Sequence, residues 1–342
     1  MVTYVIIIVL IALLFDFSNG FNDAANSVAT IVATRVLSPR AAVLWAAFFN
    51  FIAAFGFETH VAATIGKGLV APSIINPDMI LATLIAAISW TVICTQKGLP
   101  ISVSHALIGS LAGAAICRGG LDALQWGVIG KTAIFIVLSP IIGLVIAWIL
   151  MIINLWIVRY RNPHRVDRAF RLLQLVSAAI YSLSHGLNDA QKTMGIIMAV
   201  MIAEPALAQY ATHSGDPASG EPAFWIILSC HLAIAMGTYL GGWKVVKTLG
   251  HRVTKLQPIG GFCAETGGGA TILALSQFGI PVSTTHTITG AIFGVGLTHR
   301  VSAIRWSVGS EIVTAWVLTL PCSALISSVV YFIVAKVAGL FG

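Results

Sequence analysis

Ser18-Asn19-Gly20-Phe21-Asn22-Asp23-Ala24 returns half a chain later as Ser184-His185-Gly186-Leu187-Asn188-Asp189-Ala190. A second pair follows in the same order. Pro100-Ile101-Ser102-Val103-Ser104-His105, with Gly109 and Gly113 beyond it, matches Pro281-Val282-Ser283-Thr284-Thr285-His286, with Gly290 and Gly294. All four stretches lie in or beside strongly apolar segments, where polar groups are costly. Polar motifs that recur in order within a membrane point to a substrate site shared between two related halves of a transporter.

Composition agrees with a bilayer setting. Hydrophobic residues make up 58% of the 342 and charged residues only 9%, against about a quarter charged in a soluble domain. Apolar runs recur along the whole length, and no segment between them is large enough for a separate soluble domain. The opening Met1-Val2-Thr3-Tyr4-Val5 has no basic region, so a retained membrane helix is expected there, not a cleaved signal. Cys94, Cys117, Cys230, Cys263 and Cys322 are scattered without CxxC spacing and read as small packing residues. The net charge of +7 is distributed as a topology signal, and no nucleic-acid partner is expected.

Five hydrophobic segments fall in each half, near residues 2–33, 41–58, 79–96, 101–117 and 124–157, then 173–203, 223–243, 258–278, 281–298 and 307–340. Arg159, Arg161, Arg165, Arg168 and Arg171 crowd the connection and make it cytoplasmic. The acidic loop from Glu204 to Glu221, free of Lys and Arg, fits the outside. Lys244, Lys247, Arg252, Lys255, Arg300 and Arg305 return inside, as do Arg35 and Arg40 when both termini are periplasmic. Each half then crosses an odd number of times. The expected fold is an all-α polytopic membrane protein of two inverted-topology repeats, with about 10–12 membrane helices including two helical hairpins. Its parts are a first repeat over 1–157, a basic cytoplasmic link over 158–172 and a second repeat over 173–342.

The hairpins are the third and fourth segments of each half. Met79 to Cys94 gives roughly 24 Å of helix, less than the ~30 Å hydrocarbon core. A re-entrant arm is one reading and a full crossing the other. The link near Val166 to Leu173 reads equally as an interfacial amphipathic helix or as a solvated loop.

In each Gly-x-Asn-Asp motif, glycine lets the helix break, asparagine offers donors and acceptors, and aspartate brings a charge that is costly at mid-membrane. Asp23 and Asp189 are therefore candidates to bind a coupling cation or carry a proton. The bland reading, a structural polar cluster joining helices, is weakened by the duplication. In the Pro-x-Ser motifs, proline can start a helix and place Ser102, Ser104, Ser283, Thr284 and Thr285 beside free backbone N–H groups. Two such helix starts facing each other would suit a tetrahedral oxyanion, and ordinary N-capping is the bland alternative. His105 and His286 read equally as proton carriers or as buried neutral imidazoles. Glu58 and Glu265 lie in apolar surroundings, while Asp16 and Glu311 have no counterpart and read as structural or peripheral. Alignment of the aspartates sets Asn26 opposite Lys192, a cation that disfavours sodium beside Asp189.

These residues resemble the duplicated signature of the inorganic phosphate transporter (PiT) family over essentially the whole chain. The resemblance implies secondary-active phosphate uptake by alternating access, an inverted-repeat fold and a homodimer in a bacterial inner membrane. It maps paired ligands to Asn22, Asp23, Asn188 and Asp189, hairpin hydroxyls to the five Ser and Thr residues above, and functional glutamates to Glu58 and Glu265. Sodium-coupled members carry Asn-Asp-x-x-Asn twice. Here the second copy is Asn188-Asp189-Ala190-Gln191-Lys192, similar to the proton-coupled branch, which carries neutral complexes of phosphate with a divalent cation such as Mg2+. Sodium coupling, sulfate as the anion and a passive anion channel are the alternatives. No HExxH, GxSxG or Walker motif appears, so neither an enzyme nor a cofactor is expected.

Overall fold

The computed structural model describes residues 1–56, 59–216 and 219–341, and their side chains save those of 66, 67 and 337–341. Among these residues the regular structure is helical, with two isolated bridges and no strand. α1 (Val2–Ala33), α2 (Pro39–Ile52), a short α3 (His60–Gly68), α4 (Pro77–Lys97), α5 (Val103–Gly119) and α6 (Trp126–Val158) are followed by α7 (Pro163–Ile202), α8 (Phe224–Leu240), a short α9 (Trp243–Lys247), α10 (Pro258–Gln277), α11 (Thr284–Leu297) and α12 (Trp306–Phe341).

Start signals explain many of the boundaries. Pro39, Pro77, Pro163 and Pro258 each open a helix at a position whose N–H has no partner to lose. Ser38, Asn76, Ser102, Asn162 and Ser283 cap the free N–H groups that follow them. Gly98 and Gly279, at φ 70° and 66°, turn the chain between the arms of each hairpin, in a region that favours glycine.

The structure corrects two boundaries. α7 starts at Pro163, ten residues before the expected apolar segment, so the basic stretch to residue 172 takes the helical one of its two readings and forms the first turns of a long helix. The first arm of the first hairpin runs over 21 residues, roughly 32 Å, so it is long enough to cross where 16 residues were expected. α3 answers to no expected segment.

α1, α4, α6 and α12 are each long and apolar enough to span a bilayer, and α8 with the stretch from Trp243 to Arg252 forms a fifth candidate bent by 63°. α7 is longer still, but its middle carries Ser182, Ser184, His185, Asn188, Asp189 and Lys192. α6 and α12 lie outermost, with only 22% and 17% of their apolar windows buried. Ile134, Val137, Ile141, Val317, Leu325 and Phe332 stand exposed on them, a surface suited to lipid and not to water.

The packing is reciprocal. The second arm of each hairpin, α5 or α11, lies against the long last helix of the other half of the chain, α12 or α6. The motif glycines make this possible. A Cβ on Gly109 or Gly113 would strike the backbone of α12 at Leu320 or Ala324, and one on Gly290 or Gly294 would strike that of α6 at Pro140 or Leu144. Small residues spaced by four let two membrane helices approach to backbone contact. Gly290→Val is expected to lower stability in detergent by at least about 1–3 kcal/mol, whereas Leu325→Ala, on the lipid face, leaves it nearly unchanged. Thermal unfolding followed by size-exclusion fluorescence would measure both, and equal melting temperatures would contradict the close approach.

Candidate functional site

Rising numbers on α1 meet falling numbers on α7. Asp16 neighbours Thr193, Asp23 faces His185, and Thr30 and Ser177 reach the same Glu265. Thr34 donates to Gln174 at 2.8 Å. The two motif helices therefore run antiparallel, with a polar seam between them. Its centre gathers both aspartates, both asparagines and both hairpin starts, all buried.

Matching bonds hold the two motifs. Asn22 donates to Thr95 on α4 at 2.6 Å, and Asn188 is joined to Ser276 on α10 at 3.3 Å. One turn later, Asn26 donates to Thr285 of α11 at 2.9 Å, and Lys192 donates to Ser104 of α5. Each motif helix thus grips the first arm of its own hairpin and the second arm of the other. The halves differ in what Lys192 adds. Its ammonium also meets Asp189 and the Val282 carbonyl, the latter at 2.8 Å, so one cation ties α7 to both hairpins. Lys192 and Asp189 form a buried ion pair.

Thr284 donates to Asp189 at 3.0 Å and lies 3.3 Å from Asp23. Thr285 donates to the Ile101 carbonyl at 3.0 Å. Ser102 and Ser283 cap α5 and α11 through the amides of His105 and His286 at 3.2 Å. Their lone pairs are engaged in capping and their O–H groups remain free to donate. Two helix N-termini and an ammonium thus converge beside two carboxylates.

His185 was not singled out from the sequence. It occupies the position of Asn19 in the first motif, so this difference between the copies was the available signal. Its Nε2 lies 3.2 Å from Asp189 and 3.7 Å from Asp23, at ion-pair distance of both yet aligned for a hydrogen bond with neither. Its Nδ1 lies 3.3 Å from Asn50 Oδ1, which orients the ring. Asp23, His185 and Asp189 offer three ligand atoms within 4.8 Å of one another and together can hold a metal ion.

Other candidates stand apart from this cluster. His105 and His286, on the second arms of the two hairpins, meet edge to face at 4.5 Å, and His286 stacks on Trp316 at 3.7 Å. Glu265 is enclosed by donors from Thr30, Gln174 and Ser177, about two turns along α1 from Asp23. Glu311 pairs with Arg252 at 3.6 Å on the exposed surface, as a peripheral group. Glu58 lies outside the described residues.

The profile of the Phosphate transporter family matches residues 19–327. A Rhizobium meliloti protein described as "Probable low-affinity inorganic phosphate transporter" is 51% identical over 97% of this chain and 96% of its own length. A Bacillus subtilis protein of the same description is 42% identical over 96% of each. The solved structure of "The sodium-dependent phosphate transporter" superposes with a TM-score of 0.85 at 27% identity, over 98% of this chain and 99% of that one. A match to the family that runs through all four motifs, with the same fold beneath it, means that this chain belongs to the phosphate transporter family.

Proposed function

We propose that the chain is a proton-driven phosphate symporter of the bacterial plasma membrane, multi-pass with both termini periplasmic, working by alternating access. The observation that carries the coupling ion is Lys192. Its ammonium bonds to Asp189, Ser104 and the Val282 carbonyl, where the equivalent Asn26 only bridges to the hydroxyls of α11. A fixed cation in that position leaves no call for a sodium ion beside Asp189.

Residues 1–157 and 173–342 act as two inverted repeats, a division supported by the antiparallel course of α1 and α7 and by their matched bonds. Phosphate is held between the starts of α5 and α11. Free amides and the hydroxyls of Ser102, Ser104 and Ser283 donate to its oxygens, and those of Thr284 and Thr285 do so when phosphate displaces their bonds to Asp189 and the Ile101 carbonyl. Asn22 and Asn188 fix the arms, and Lys192 supplies positive charge. Asp23 and Asp189 keep the site near neutrality by binding the coupling proton. The Asp23–His185–Asp189 trio also suits a divalent metal carried with phosphate as a neutral complex. Two copies of the chain assemble as a homodimer.

A sodium-coupled reading rests on a separate observation. Around Asp23 the Asn-Asp-x-x-Asn pattern is intact, and the oxygens Asn22 Oδ1, Asn26 Oδ1 and Ser27 Oγ are buried without a donor.

Labelled phosphate uptake into proteoliposomes, under an imposed proton or sodium gradient and with or without magnesium, separates these readings. Accumulation against the phosphate gradient, driven by protons, is expected, and enhancement by magnesium would identify the neutral complex as cargo. Accumulation driven by sodium alone would overturn the role given to Lys192. Downhill flux without accumulation would mark a passive anion channel, and sulfate tested in the same vesicles checks the anion.

A further inference from the structure

Asp16 lies on α1 seven residues before Asp23, about 10 Å along the helix, on the same face. It is fully buried, and neither carboxylate oxygen makes a well-aligned hydrogen bond, the nearest donors being Thr193, Asn19 and the Cys230 thiol. Asn19 and Thr193 stand beside it, and the side-chain oxygen of each is likewise buried without a partner. Neighbouring positions on α1 and α7 and one on α8, Ala12, Phe15, Met194, Ile197 and Ile226, belong to one buried apolar cluster. The titratable groups that face Asp16 are Cys230 from α8 and, one and two turns farther along α7, Asp189 and His185. Lys192 is turned to Asp189 and the hairpins, and among the described residues no cation pairs with Asp16. The equivalent position of the second motif is Ser182, so this acid belongs to one half only.

A bare carboxylate in such surroundings is expensive unless its charge is cancelled. A proton cancels it at the least structural cost. The neutral acid gains a donor for a neighbouring oxygen and can accept from the Thr193 hydroxyl. A thiol against the carboxylate is a poor ligand for an alkali ion, which prefers oxygen donors.

We propose that Asp16 is a proton-binding acid of the transport cycle, set apart from the phosphate site on the N-terminal side of α1. It takes one proton from that side as carboxylate becomes carboxylic acid. It returns that proton toward the Asp23–His185–Asp189 cluster as the carboxylate re-forms. The proposal rests on the proton-driven reading above and adds to it a third, asymmetric acid on the seam.

Infrared difference spectroscopy of the full chain in lipid, with pH stepped in light and heavy water, tests the binding directly. A protonated-carboxyl band that shifts in heavy water is expected in the wild type, absent from Asp16→Asn and displaced in Asp16→Glu. In vesicles, Asp16→Asn should lose at least tenfold in proton-driven accumulation, a factor worth about 1.4 kcal/mol, while phosphate–phosphate exchange stays within about twofold. Asp16→Glu should recover accumulation. A band unchanged in Asp16→Asn, or one removed by sodium at fixed pH, would overturn proton binding. Wild-type accumulation in Asp16→Asn, or equal loss of exchange and accumulation, would remove Asp16 from the cycle. Should the wild type accumulate phosphate on sodium alone, the coupling reading fails by itself, and the band still reports separately on Asp16.

Discussion

Asp23→Asn is expected to abolish uphill accumulation of phosphate, by a hundredfold or more, a loss of at least about 2.8 kcal/mol in coupling. The substitution keeps the shape of the side chain and its reach to Thr284 and Thr285, which approach the carboxylate at 3.3 to 3.5 Å. It removes the charge and with it the capacity to bind a proton or a cation. Because a neutral amide is cheaper to bury than a carboxylate, the variant should insert and fold at least as well as the wild type. Loss of transport without loss of protein is therefore the signature. Proteoliposome uptake normalised to reconstituted protein measures it, and normal gradient-driven uptake would refute a coupling role for Asp23. Ser18→Ala is the matching control. The Ser18 hydroxyl bonds the Leu14 carbonyl of its own helix and takes no part in the cluster.

Lys192 carries the second large effect. Lys192→Ala leaves Asp189 buried and without its cation, and breaking a buried pair on one side costs about 3–5 kcal/mol. Removing both partners, in Lys192→Ala with Asp189→Asn, should restore much of that stability but not transport. A double-mutant cycle in melting temperature reads the coupling, and additive losses would mean that the pair contributes nothing. Lys192→Asn is more informative about mechanism, because it rebuilds Asn-Asp-x-x-Asn in the second half. Sodium-stimulated uptake is expected to appear in that variant. If sodium has no effect there while the protein is intact, Lys192 is not what excludes the ion.

Much of the architecture was legible because membrane helices announce themselves by apolar length. α1 and α10 begin at their expected residues, and the hairpin turns fall at Gly98 and Gly279 as the Gly-x-Pro spacing implied. The duplicated motifs also led to the cluster itself, since two aspartates in matching apolar contexts have few other uses. What escaped was set by contacts distant in sequence. Nothing local ties Glu265 to Thr30, Gln174 and Ser177, yet those donors enclose it. His185 was visible in the motif, but its value lies in reaching both aspartates while Asn50 holds its far nitrogen. The start of α7 was misjudged because Arg-rich turns carry no apolar signal, although Asn162-Pro163 is a helix start.

The clasp between each hairpin and the other half's last helix also constrains the birth of the protein. Ser110 and Ser323, which bond across it, are 213 residues apart in the chain. At a synthesis rate of 5–20 residues per second, the first hairpin waits roughly 10–40 s for its partner to emerge. Until then the groove at Gly109 and Gly113 must be occupied by lipid or by an insertion factor. The first hairpin is therefore made well before the helix that clasps it, and its close packing depends on the arrival of α12.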